Sequence, residues 1–313
     1  MLHNFYISFR AVAPLLFIMS IGYYIKKRGM LDQHDVKRIN RMAFNIMFPC
    51  MIFNAMYQSN YSEEISYKLI VLTVFLFFLS LGLGGRLLKY VKGDAKLKGA
   101  MLQIIIRGNY MVLGFPALIS LYGAESISRA AILVVIMIPL TNIFTVVELD
   151  IFKKRRITIR ETVFDVFKNP QIIASMLGIC SVLFQWKAPT FIESTVSYLS
   201  EAGTPVALLT LGASINFRDI KNEKWNLFLC TIVRLLVIPG IGMFIGALLG
   251  IRGIDFMLII TFFACGAPTA CYTMAMIMES DAEFTASSVA ITSALCPFSM
   301  FLLIFISRTI GML

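Results

Sequence analysis

The sequence predicts an all-α integral membrane protein of ten transmembrane helices in two five-helix halves, from its apolar content, the length of its apolar runs and the spacing of its prolines. Hydrophobic residues make up 58% of the 313, charged residues 15%, and mean hydropathy is +0.80. A soluble domain of this length cannot cover so much apolar surface. The apolar residues form ten spans, roughly 8–26, 36–57, 67–90, 98–122, 127–152, 169–186, 190–217, 225–250, 255–279 and 284–307. A helix needs about 20 residues to cross about 30 Å of hydrocarbon. Transmembrane strands would be shorter and would alternate apolar with polar, which these runs do not.

Span 1 is followed by Lys26, Lys27 and Arg28 instead of a small-residue cleavage site, so it reads as a retained helix. Span 2 carries Pro49 in "NIMFPCMIF", and span 4 carries Arg107, Asn109, Gly114 and Pro116 in "RGNYMVLGFP". Pro139 lies in span 5, Pro205 in span 7 within "GTPVALLTL", and Arg234 in span 8. Span 9 reads "FFACGAPTACYTM" with Gly266 and Pro268, and span 10 carries Pro297.

The net charge of +10 is topological and does not call for a nucleic-acid partner. The connections 1–2, 3–4, 5–6 and 7–8 hold twenty of the 28 Lys and Arg, including "KKRG", "KYVKGDAKLK" and "KKRR". The opposite connections and the termini hold six: Arg10, Lys68, Arg129, Lys187, Arg252 and Arg308. By the positive-inside rule both termini lie outside the cytoplasm of a cell membrane. "ESDAE" between spans 9 and 10 is acidic on the cytoplasmic side, though acidic residues weigh little here.

Pro49 and Pro205 are 156 residues apart, Pro116 and Pro268 are 152 apart, and Pro139 and Pro297 are 158 apart. Each pair holds the same ordinal place in a five-span half, giving repeats at 1–156 and 157–313. An odd number of spans per half inverts the second half, the inverted repeat of many secondary transporters. The Gly/Pro interruptions of spans 4 and 9 then point to one shared site, since broken backbone in lipid survives only where protein or a watery cavity receives it.

"RGNYMVLGFPAL", "TPVALLTLGASI" and "RLLVIPGIG" resemble segments of the auxin efflux carrier family, to which the plant PIN exporters belong, and the likeness spans the chain. With about 16 residues between spans 5 and 6 the chain looks like the compact bacterial members, some of them associated with malonate or malate. The resemblance implies that spans 4 and 9 cross at Pro116 and Pro268 beside the substrate. It also implies a scaffold of spans 1, 2, 6 and 7 that forms a homodimer, with spans 3–5 and 8–10 as the transport part.

Substrate charge follows from the residues as well. No Asp or Glu sits near the middle of a span: Glu148 and Asp150 lie at the cytoplasmic end of span 5, Glu193 and Glu201 in the outer half of span 7. Arg107 and Arg234 do lie within spans, and the N-termini of broken helices add partial positive charge and N–H donors. A small organic anion, a carboxylate, is the expected substrate. The expected binding residues are Arg107, Gly108, Asn109, Tyr110, Gly114, Pro116, Asn142, Arg234, Gly266, Pro268, Thr269 and Tyr272. Either arginine could instead reach an interface or a backbone carbonyl, Asn109 could cap the broken backbone, and Tyr272 could serve packing alone. Thr141 and Asn142, or Thr292 and Ser293, could hold sodium or serve as interhelical glue; coupling is open between sodium, protons and no ion.

Six cysteines lie in apolar spans without a CxxC pair, and the only histidines, His3 and His34, lie outside them, with no HExxH. No metal, cofactor or catalytic residue is expected, so the chain does not read as an enzyme. A carrier in contact with membrane lipid is the favoured class, and a ligand-gated sensor or channel on the same fold is the alternative.

Overall fold

A computed structural model describes residues 2–58, 66–153, 168, 170–214 and 223–313. The described residues are helical, with no strand among them. The repeat boundary expected at 156–157 and most of the "KKRR" run lie outside the described residues.

In chain order the helices are α1 (Leu2–Lys27), α2 (Gln33–Met42), α3 (Phe48–Tyr57), α4 (Tyr67–Leu87), α5 (Ala95–Ile106), α6 (Phe115–Tyr122) and α7 (Ser126–Lys153). Then come α8 (Pro170–Leu183), α9 (Thr190–Ser214), α10 (Lys224–Ile232), α11 (Ile238–Leu248), α12 (Gly253–Phe263), α13 (Ala270–Ile277) and α14 (Ala282–Thr309). Among the described residues, six stretches are long and apolar enough to cross a membrane: Leu2–Lys27, Tyr67–Leu87, Ala95–Tyr122, Ser126–Thr145, Lys224–Leu248 and Ala282–Thr309. The other expected spans contain helix but are charged at one end (α2), short (α8), rich in polar residues (α9) or interrupted (α12–α13).

Helix α2 begins at a reciprocal cap. The Asp35 N–H donates to Asp32 Oδ1 at 2.7 Å and the Asp32 N–H to Asp35 Oδ2 at 3.0 Å. The backbone N–H of Asp35, with that of His34, holds the exposed Asp32 carboxyl below its usual range.

Prolines widen turns in this chain more often than they break helices. Three five-residue π turns, Ala43–Met47, Tyr110–Gly114 and Val233–Val237, each stop two residues before a proline: Pro49, Pro116 and Pro239. A proline offers no N–H and its ring crowds the carbonyl a turn earlier, so the helix relaxes by one residue and continues. Pro14, Pro205 and Pro297 lie inside α1, α9 and α14.

Helix α1 packs most extensively on α9, and α3 packs on α8 and α9. The α1–α9 crossing is close because it is made of glycines. A Cβ on Gly22 would meet the Leu209 carbonyl oxygen at 2.0 Å, and one on Gly212 that of Met19 at 1.9 Å. Small residues at such crossings let backbones approach, which supplies packing where lipid removes the hydrophobic drive between helices. Elsewhere α5 packs on α7, α4 and α14, α11 on α12, and α13 on α14. An ion pair at 3.1 Å from Arg129 to Asp255 ties the first turns of α7 and α12.

Candidate functional site at a helix crossing

Two helical runs break, and the breaks meet. The first lies between α5 and the π turn that precedes α6, at Arg107–Asn109, and the second between α12 and α13, at Ala264–Thr269. The Asn109 N–H donates to the Gly266 carbonyl at 2.8 Å and joins them directly. The discontinuity expected near Pro268 is present. The one expected at Gly114 to Pro116 is displaced to Arg107–Asn109: the Phe115 N–H donates to the Tyr110 carbonyl within the π turn, and Pro116 sits in the first turn of α6. Gly114 has a packing role, since a Cβ there would lie 2.6 Å from the Thr261 carbonyl oxygen of α12.

Every backbone group freed by a break in a dry interior needs a partner. Three of the carbonyls here find it in one side chain. Arg234, 1% exposed in the π turn between α10 and α11, donates from Nε to Cys265 O at 2.9 Å, from Nη1 to Ile105 O at 3.1 Å and from Nη2 to Phe262 O at 3.1 Å. The Ile105 and Phe262 carbonyls lie at the ends of α5 and α12, where the helix dipole is negative, and that of Cys265 lies in the second break. Arg234 therefore does not face the cavity described below, and the sequence expectation of a substrate contact gives way to its alternative of carbonyl pairing. Gly108 is required by this arrangement, because a Cβ there would lie 1.8 Å from Arg234 Nη2. The Ala267 N–H donates to Thr292 Oγ1 at 3.1 Å, and that hydroxyl donates to Ser288 O at 2.7 Å.

On the opposite face of the crossing lies a cavity of about 110 Å3, room for several waters or a small organic acid. Of the twelve residues expected at the site, Arg107, Gly108, Asn109, Tyr110, Asn142, Pro268 and Thr269 line it. Gly114, Pro116, Gly266, Tyr272 and Arg234 do not. Met111 and Val112 also line it, and with Tyr110 they form the first turn after the break, whose N–H groups have no intrahelical acceptor. The Asn109 side chain makes no cap to that turn. Thr269 and Ala270 bring the start of α13 to the same space.

Arg107 is half-buried and donates from Nη2 to Asn142 Oδ1 of α7 at 3.2 Å. Tyr110 is held from behind by its ring, stacked on Phe262 with centroids 4.5 Å apart. Tyr272 points elsewhere, with Lys37 Nζ 5.9 Å over its ring.

The sequence reading missed the far wall. Asn40, Phe44 and Phe48, from α2 to the start of α3, and Ala207 and Leu211 of α9 line the cavity with Thr141 and Gln171. Both sets recur every four residues, one helix face, and that spacing was the available signal. Asn40 Nδ2 donates to Thr269 Oγ1 at 3.0 Å, bridging the far wall to the second break. Nor did the sequence mark a carboxylate near a span end as buried. Glu148 of α7 is 3% exposed, although the sequence puts it near the end of an apolar run.

The sequence model of a family described as membrane transport protein matches residues 7–304. An uncharacterized transporter of Methanocaldococcus jannaschii is 27% identical over 297 residues, covering 90% of this chain and 93% of that protein. One from Methanothermobacter thermautotrophicus is 26% identical over 283 residues, 88% and 90% of the two chains. An Escherichia coli K12 transporter is 22% identical over 246 residues, 74% and 76%. A match of this extent, over a chain with crossing broken helices, makes the protein a multi-pass membrane transporter belonging to the membrane transport protein family, that of the auxin efflux carriers.

Proposed function

We propose that the protein is a secondary transporter that moves a small organic anion, a carboxylate of the malonate, malate or auxin-like kind, by alternating access. The observation that carries this reading is the cavity at the crossing. Arg107, Asn109, the N–H groups of the turn starting at Tyr110 and the start of α13 converge on it. Such helix starts present partial positive charge and free donors, which suit a carboxylate. Asn109 and these amides receive the anion, and Arg107 raises the local positive potential. Each charge-assisted hydrogen bond is worth about 1.5–3 kcal/mol.

Alternating access rests on an inverted repeat with halves 1–156 and 157–313. Support comes from the breaks falling in the fourth and ninth apolar spans, the matching places in two five-span halves. The packing of α1, α3, α8 and α9 on one another supports a scaffold from spans 1, 2, 6 and 7. Asn40, Ala207 and Leu211 would then present the scaffold's side of the cavity to the moving part.

A thermal-shift screen of the purified protein against malonate, malate, an indole acid and their amide analogues tests the reading, because a ligand that binds the folded state raises its stability. Stabilisation by a carboxylate and not by its amide is expected. Stabilisation by neutral or cationic compounds alone would overturn it.

A further inference from the structure

We propose that Glu148, packed with Gln103 and Thr145 between α7 and α5, is a proton-binding site whose charge reaches the anion cavity through Arg107. The inference rests on the anion reading of that cavity for its coupling, though not for the proton site itself.

Glu148 is 3% exposed, and neither carboxyl oxygen has a hydrogen-bond partner. Gln103 and Thr145 are fully buried, and both amide atoms of the first and the hydroxyl of the second also lack partners. Three polar groups left unsatisfied together are costly in an apolar interior. They share a neighbourhood: the Glu148 carboxyl lies against the α5 backbone at Gln103, and Thr145 is one turn before it on α7. A bound proton turns Glu148 into a neutral acid with a hydrogen to donate, and Gln103 and Thr145 supply acceptors.

The site connects to the cavity by two routes. Thr141, Thr145 and Glu148 lie on one face of α7, with Thr141 at the cavity wall and Glu148 about 10 Å farther along. Arg107, one turn beyond Gln103, lines the cavity, bonds Asn142 and acts electrostatically on Glu148. Among the described residues, Arg107 is a charged group that acts on Glu148, and the Cys271 thiol of α13 also lies within electrostatic range. The other titratable groups described on elements packed against α7 are Cys50 and Tyr57 of α3, Tyr67, Lys68 and Arg86 of α4, Lys96 and Lys98 of α5, Tyr122 of α6 and Cys180 of α8. An ionised Glu148 competes with a bound anion for the field of Arg107. One proton taken from solution removes that competition, so proton and anion bind with positive coupling.

Infrared difference spectra of the lipid-reconstituted protein, cycled between neutral and alkaline buffer, test the proton site without any substrate. The wild type should show the stretch of a protonated carboxyl in a dry setting. Glu148→Gln should abolish it, and Glu283→Gln, at an exposed carboxylate, should keep it. No such band, or one that survives Glu148→Gln, overturns the proposal. If Glu148→Gln does not fold, Glu148→Asp must move the band, and an unmoved band has the same force. Malonate tests the coupling over the same range, where it is itself fully ionised. Its affinity should fall about tenfold towards alkaline pH in the wild type and stay flat in Glu148→Gln. Malonate that binds equally at both pH values overturns the coupling. If neither malonate nor any other carboxylate binds, the anion reading fails, and the band alone decides the proton site.

Discussion

On one face of the helix crossing, the starts of the turn at Tyr110 and of α13 border a cavity, while on the other the ends of α5 and α12 close around the Arg234 guanidinium. Both faces carry an arginine in an apolar run, yet the two side chains are used oppositely. Arg234 gives three of its donors, one from each nitrogen, to carbonyls and lies outside the cavity lining. Arg107 is half-buried and makes one side-chain bond, to Asn142. Helix polarity explains the division: carboxy-terminal ends attract a cation built into the protein, and amino-terminal ends are left to attract an anion from outside.

The largest effect should come from the closed face. Arg234→Leu leaves three buried carbonyls unpaired at about 1–3 kcal/mol each, so size-exclusion profiles in mild detergent should show loss of monodisperse protein. Arg234→Lys should not rescue it, because a single ammonium cannot reproduce the three-way guanidinium fork. If Arg234→Leu folds normally, the two faces are not divided as described.

Gly108→Ala should come next, lowering the thermal midpoint through a loss of about 1–3 kcal/mol, because its methyl group would enter the space of Arg234 Nη2. On the open face stability should hold and affinity should fall. Asn109→Ala keeps its backbone bond to Gly266 while removing the side-chain donor, and should raise the dissociation constant of the cognate carboxylate about ten- to a hundredfold in calorimetry. Unchanged affinity in a folded Asn109→Ala protein would make the first break purely structural. Arg107→Gln should weaken carboxylates about tenfold while sparing amide analogues. The smallest change belongs to Asn40→Ala, which loses the Thr269 hydrogen bond at about 0.5–1.5 kcal/mol and should alter affinity only a few-fold.

Of the seven expected site residues that line the cavity, Arg107, Asn109, Asn142 and Pro268 carried a chemical signal of their own, a charge, an amide or a proline out of place in an apolar run. The misplaced ones share a cause. Proline was read as a break at Pro116, but a π turn absorbs it and the helix opens about two turns earlier. Glu148 was read by its distance from the end of a run, a measure blind to which neighbours cover the residue. The far wall was missed because Phe44, Phe48, Ala207 and Leu211 are ordinary membrane-helix residues whose role depends on what stands opposite.

The sequence by itself determined that the chain is helical, lives in a membrane, belongs to a transporter family and interrupts its fourth and ninth apolar spans, because hydrophobic length, composition and backbone chemistry are local properties. Only the tertiary structure decided where the first break opens, that it meets the second through Asn109 and Gly266, and which arginine faces the cavity. Those outcomes depend on pairing freed backbone groups with partners on other helices, 28 residues away for Phe262 and 129 for Ile105, and no local pattern specifies those partners.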